Sequence, residues 1–204
     1  QNKGEGTPEW EQAFHRVHVR LPCPPITCIG VWDTVGALGA PGWIGTAAST
    51  VGRNKYAYHD VTLNDAIEHA YHALAIDERR GPFKPDLWTR PTGWKGTLEQ
   101  GWFPGVHSNI GGGYTPDGLA NEALHWIVSK VQPLGLALDE AYLAHFEPHY
   151  ESVLHDSMSL KYRAFPVYDR PIGEHLADGE FVHRAALDRW KKYDTGRQAN
   201  ARAA

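Results

Sequence analysis

The apolar positions of this chain fall into short blocks separated by glycine, proline and polar residues, and the spacing inside each block differs. Ile26 to Trp32 (ITCIGVW) is a nearly continuous apolar run, introduced by Pro24 and Pro25 and closed by Asp33 and glycines. A run of that length, rich in β-branched residues, predicts a strand buried on both faces, the kind that builds parallel sheets. Between Thr62 and Glu78, Ile67, Ala70, Tyr71 and Leu74 repeat at helical spacing, with Thr62 or Asn64 as cap and Gly81-Pro82 as stop. That stretch reads as a helix. "LEQGWFPGVHSN" predicts a second short strand ending near His107. "TPDGLANEALHWIVSKV" predicts an amphipathic helix capped by Asp117, with Ala120, Leu124, Ile127, Val128 and Val131 on its inner side and Pro133 at its end. Trp10, Phe14 and Val17 suggest a further helix in "TPEWEQAFHRVH". Residues 134–204 read as one or two short helices, a strand-like "FPVYDRPIG" and a polar tail from Asp194.

Strands alternating with helices imply an α/β protein with a mostly parallel sheet and helices on both faces. In such sheets the reactive groups gather where the carboxyl ends of the strands open into loops. Asp33 and His107 both fall at such ends. An acid that orients an imidazole, and a histidine free to reach a nucleophile, are what a hydrolase triad requires. Each also has a plainer reading: Asp33 as a turn residue, His107 as a loop histidine bonded to a carbonyl. The glycine run Gly111-Gly112-Gly113 lets the backbone pass close to a site, and it lacks the spacing and lysine of a phosphate loop.

Composition narrows the choice. The 204 residues are 42% hydrophobic and 22% charged, a globular balance sufficient for one domain with a real core. The formal net charge of -4 and the lack of a dense Lys/Arg cluster give no reason to expect a nucleic-acid partner. No apolar run approaches the roughly 18 residues of a membrane span. Cys23 and Cys28, separated by prolines, read as idle thiols, since two cysteines make neither a disulfide framework nor a zinc site. His69 and His72 have the i, i+3 spacing of a helical metal pair but no third ligand at a defined distance, and no metal is assigned. Asp77 is a second candidate acid, read as structural and paired with Arg79, Arg80 or another basic group. Ser108 adjoins His107 without a glycine elbow and is set aside as nucleophile. Trp88, Trp94, Trp102 and Phe103 suit either core packing or an acyl pocket.

Three segments, "IGVWDTVGALGAP", "HAYHALAIDERRGPFKPDLW" and "WFPGVHSNIGGGY", resemble in order and spacing the α/β-hydrolase domain of type VI secretion phospholipase effectors and their fungal relatives. The likeness covers about residues 26–130. It implies a serine-type ester hydrolase acting on lipids without a metal or organic cofactor, in a cytoplasmic or secreted effector. Asp33 of "GVWDTVG" would be the triad acid and His107 of "GVHS" the base. Trp32, Ser108, Asn109, Gly111, Gly112 and Tyr114 would line the substrate site or support the pair. Family members often carry Asp where this chain has Asn109, which keeps the size and loses the charge. The Gly-x-Ser-x-Gly elbow that carries the nucleophile is absent. The expectation is therefore that residues 1–204 form the C-terminal half of a catalytic domain. Its partner would be the missing N-terminal half or a second copy of itself. The rival reading is a hydrolase-fold binding module without a nucleophile.

Overall fold

The computed structural model of the chain describes residues 25–35, 63–160, 162 and 167–202. The helix expected at 7–18, Cys23 and the possible cap Thr62 lie outside them. Among the described residues four strands form one sheet in the order β1-β2-β3-β4: β1 Ile26–Trp32, β2 Ile67–Ala75, β3 Thr97–Phe103 and β4 Glu180–Val182. Every pairing is parallel. The fold is α/β, as the alternation of elements implies.

β2 corrects the sequence reading, which made this stretch a helix. The apolar residues do recur at helical spacing, and alanine and glutamate favour helices. However, Ala70 through Ala75 are all buried, so the burial of this strand has no period for a pattern to reveal. Its alanines let neighbours approach: Tyr71, Ala73 and Ala75 join Phe103, Ile110, Ala123, Trp126 and Ile127 in one apolar cluster. The strand assignment also disposes of the metal pair, because positions three apart on a strand point to opposite faces.

Helix α1 is a single turn, His107–Gly111, and α2 spans Gly118–Val131. The expected helix is present with Asp117 at its N-cap position, but the Asp117 side chain makes no capping hydrogen bond and the buried side is turned by about one residue. Leu119, Ala123, Trp126 and Ile127 face the sheet, rather than Ala120, Leu124 and Val128. Burying Trp126 sets that rotation, since its ring packs against Tyr71, Phe103 and Phe181. On the opposite face, Ile67, Ala70 and Leu98 are covered by the loop that carries Trp88 and Trp94. Trp94 Nε1 donates to Ile67 O at 2.9 Å. Buried Gln100 acts like a strand for the same loop: its Oε1 accepts from Trp88 N at 2.9 Å and its Nε2 donates to Trp88 O at 3.0 Å.

After α2 come the short α3, Glu140–Leu143, then β4, then α4, Arg184–Arg202. Gly179 enters β4 at φ 75, where a Cβ would collide with the carbonyl of Leu98, so no other residue fits there without strain. The tail expected from Asp194 is helical instead. The strand-like "FPVYDRPIG" is no strand where it is described: Val167 forms an isolated bridge with Arg80. Among the described residues no helix is long and apolar enough to cross a membrane.

Candidate active site

β1 and β3 run parallel on either side of β2, so their carboxyl ends open on the same edge of the sheet. Asp33 is the first residue after β1, and His107 follows β3 after a three-residue turn and opens α1. The two side chains meet there. His107 Nδ1 lies 2.8 Å from Asp33 Oδ2. Because a carboxylate only accepts, this contact places the proton on Nδ1 and leaves Nε2 with its lone pair. Nε2 has no hydrogen-bond partner among the described residues, and the imidazole side chain is 29% exposed.

Asp33 is wholly buried and adopts φ 39, a left-handed conformation uncommon outside glycine, which asparagine and aspartate tolerate best. It is held there from several directions. Its own N–H donates to Ala73 O at 2.7 Å, and its Oδ1 accepts from Ala75 N at 3.0 Å. Arg170 lays its guanidinium against both oxygens, Nη1 to Oδ1 at 2.9 Å and Nη2 to Oδ2 at 3.1 Å. A buried carboxylate with a forked guanidinium partner is compensated in both charge and hydrogen bonding.

A second acid stands beside this pair. Glu78, also fully buried, accepts from Arg80 Nε at 2.9 Å, from Arg80 Nη2 at 2.7 Å and from Ser157 Oγ at 2.9 Å. Its Oε2 also receives the backbone N–H of His107 at 3.3 Å. Burial pushes the Glu78 carboxyl up, but the hydrogen bonds and charge of Arg80, with help from Ser157, outweigh that and hold it below its ordinary range. The ion pair expected of Asp77 is made by its neighbour Glu78, while Asp77 Oδ2 accepts from Gly105 N at 2.7 Å and fixes the turn before His107. Gly105 has φ 127, and a Cβ there would come within 2.5 Å of Asn109 Cβ.

Asn109 is buried. Its Oδ1 accepts from Val106 N at 3.3 Å and His155 N at 3.2 Å, and its Nδ2 donates to Val153 O at 3.2 Å. Every one of these partners suits an amide, which donates and accepts at once as aspartate cannot. Ser108 follows His107 on α1, and successive helical residues do not face each other. Trp32 packs against the α2 side of the core, Tyr114 stacks on His155 with centroids 3.9 Å apart, and open space surrounds Gly111 and Gly112. Phe83 meets the His107 ring edge-on at 5.0 Å. Of the residues expected at the site, Asp33 and His107 are the two whose side chains are joined by a hydrogen bond. Among the described residues no three His, Cys, Asp or Glu side chains gather as metal ligands would.

His72 holds the backbone next to the acid. It is fully buried, and its Nε2 accepts the Thr34 N–H at 3.1 Å, which fixes the residue after Asp33. Burial pushes its pKa down to about 4, and His183 is likewise depressed to about 4 by burial. A histidine whose folded pKa lies below its unfolded value of about 6.5 favours folding fully above that pH, and the benefit is lost as pH falls towards 4. For His72 the loss approaches about 3 kcal/mol. Melting temperature is therefore expected to drop between about pH 7 and pH 4.5, and His72→Gln should flatten part of that slope. An equally steep slope in His72→Gln would remove His72 as its source.

The fold and the site together define an α/β protein with an acid–imidazole pair at the carboxyl edge of a parallel sheet. Over residues 1–130 the chain matches the family described as T6SS, phospholipase effector Tle1-like, catalytic domain, and it belongs to that family. No curated protein and no solved structure matches the chain. Asp33 and His107 lie inside the matched stretch. Arg170, Ser157 and Glu180 lie beyond it.

Proposed function

We propose that this chain supplies the acid and the base of a serine-type phospholipase of the α/β-hydrolase class. One observation carries the reading: His107 Nδ1 is bound to the buried Asp33 carboxylate at 2.8 Å, while Nε2 has no hydrogen-bond partner among the described residues and the imidazole side chain is 29% exposed. As a serine hydroxyl attacks the ester carbonyl, Nε2 takes its proton. The imidazolium so formed is stabilised through Nδ1–H by Asp33. His107 then returns the proton to the departing alcohol, and the acyl-enzyme is cleared by water in the reverse sequence. This chemistry uses no metal or organic cofactor.

The nucleophile comes from a segment outside these 204 residues, because they contain no Gly-x-Ser-x-Gly elbow. β1 is the place for that segment to join. Among the described residues β1 pairs only with β2, and Ile26 is 39% exposed although the strand is apolar. An unpaired apolar edge is an association site. The 204 residues alone should therefore self-associate in size-exclusion chromatography with light scattering, and should release no fatty acid from phosphatidylglycerol vesicles. Adding the elbow-bearing segment should restore hydrolysis and replace self-association with a defined complex. A monodisperse, cooperatively melting monomer that cleaves the vesicles would place the nucleophile within the chain. A complex that binds vesicles without cleaving them would favour the binding-module reading.

A further inference from the structure

Arg170 lies 137 residues after Asp33 and beyond the matched stretch of residues 1–130, yet its guanidinium makes four hydrogen bonds at the site. Its side chain is 2% exposed. Nε donates to Glu78 O at 2.9 Å and Nη2 to Phe83 O at 3.0 Å, in addition to the two bonds to Asp33. It thereby joins the end of β1, the segment after β2 and the turn whose Phe83 ring touches His107.

We infer that Arg170 is a positioning residue for the Asp33–His107 pair, one that fixes which carboxylate oxygen receives the imidazole N–H. The inference rests on the catalytic reading of that pair. Oδ1 is filled by Ala75 N and Arg170 Nη1, at 3.0 and 2.9 Å. Oδ2 takes Arg170 Nη2 at 3.1 Å and keeps one accepting direction, which His107 Nδ1 occupies at 2.8 Å. The terminal torsion of aspartate is intrinsically broad, so without the fork the carboxylate can turn and the imidazole loses a fixed tautomer. The planar guanidinium defines that torsion through two parallel bonds, whereas a lysine ammonium is a point charge and cannot. Charge alone is therefore not the function of this residue. The segment that follows the matched region is in this way part of the catalytic geometry.

The test is nitrogen-15 histidine NMR on the chain, with the His107 signals assigned by their loss in His107→Asn. The wild type should show a hydrogen-bonded, slowly exchanging Nδ1–H on His107. Both Arg170→Lys and Arg170→Gln should lose that proton signal and show ring nitrogens averaged between tautomers, with cooperative melting kept in at least the lysine variant. In the polypeptide that carries the nucleophile, both variants should lower kcat on phosphatidylglycerol vesicles by about 10–100-fold, with KM within about twofold. Arg184→Gln, whose side chain is 87% exposed in the wild type, should change neither readout. An Arg170→Lys variant that keeps the Nδ1–H signal and a kcat within about twofold of wild type would overturn the inference. Loss of cooperative melting in both variants would assign Arg170 to folding and overturn it as well. If His107→Ala leaves hydrolysis intact, the catalytic reading itself has failed, and the NMR comparison still decides whether Arg170 sets the tautomer.

Discussion

Hydrolysis of phosphatidylglycerol vesicles by the polypeptide that carries the nucleophile should fall by about 10⁴–10⁶-fold when His107 is replaced by alanine, with little change in KM. The size follows from what the imidazole does. Nε2 is the only basic atom of the acid–imidazole pair that faces away from Asp33, so without it the serine proton has no acceptor. Asp33→Asn is the more informative companion and should cost about 10⁴-fold. Asparagine tolerates the left-handed φ of 39 that Asp33 adopts, so the backbone is spared. Its amide oxygen can still receive Ala75 N, now 3.0 Å from Oδ1. The NH2 group would then face both Arg170 Nη2, whose bond to Oδ2 is lost, and His107 Nδ1, forcing the proton to Nε2, the wrong nitrogen for a base. Circular dichroism should show both variants folded. Losses below about 10-fold in both, with folding intact, would remove the pair from the chemistry.

The elements that bear this site were legible in unequal measure, and the differences have physical causes. β1 could be read as a strand because seven residues of apolar, β-branched sequence bounded by prolines and an acid have no good helical alternative. Its expected burial on both faces is not found: Ile26 and Thr27 are exposed and the other five residues only half-buried, because among the described residues β1 is paired on one side alone. β2 could not, because a central strand buried along its length by small alanines satisfies a helical period by accident. Its placement was decided by pairing on both sides, with β1 and with β3, and a local pattern contains no information on that. The face of α2 was read one position off because Leu124 and Val128 are as apolar as Leu119 and Ile127. Only the need to bury Trp126 selects between them.

At the site, motif context brought out Asp33 and His107, since strand ends followed by glycines are places where reactive groups collect. Arg170 carried no such signal. It sits in a loop before Pro171, and its partner is a residue 137 positions away. Glu78 was overlooked for the opposite reason: it stands next to Asp77, and one of two adjacent acids must point inward and the other elsewhere. The turn at Gly105 takes Asp77 and leaves Glu78 to Arg80. Long-range charge pairing of this kind is fixed by tertiary packing alone.

Trp102→Ala should destabilise the chain by about 3–5 kcal/mol in urea denaturation, the range for a large aromatic removed from a core that cannot collapse around the hole. Trp102 is fully buried on β3, with Leu74 and Val182 as its register partners on the two flanking strands. It is more than a filler. Its Nε1 donates to Glu180 Oε1 at 2.5 Å, and the same carboxylate accepts Gly173 N and His175 N, each at 2.6 Å. Glu180 thus pins the turn that begins three residues after Arg170, and Trp102 completes its set of donors. Trp102→Phe separates the two contributions, because it keeps most of the bulk and removes only the N–H. One lost donor to a charged acceptor should cost about 1.5–3 kcal/mol, less than the alanine truncation. If the tryptophan–glutamate bond also steadies the Arg170 turn, Trp102→Phe should weaken the slowly exchanging His107 Nδ1–H while leaving melting cooperative. A Trp102→Ala variant within about 1 kcal/mol of wild type would mean that β4 and the 170–183 segment are not anchored to the sheet through this residue.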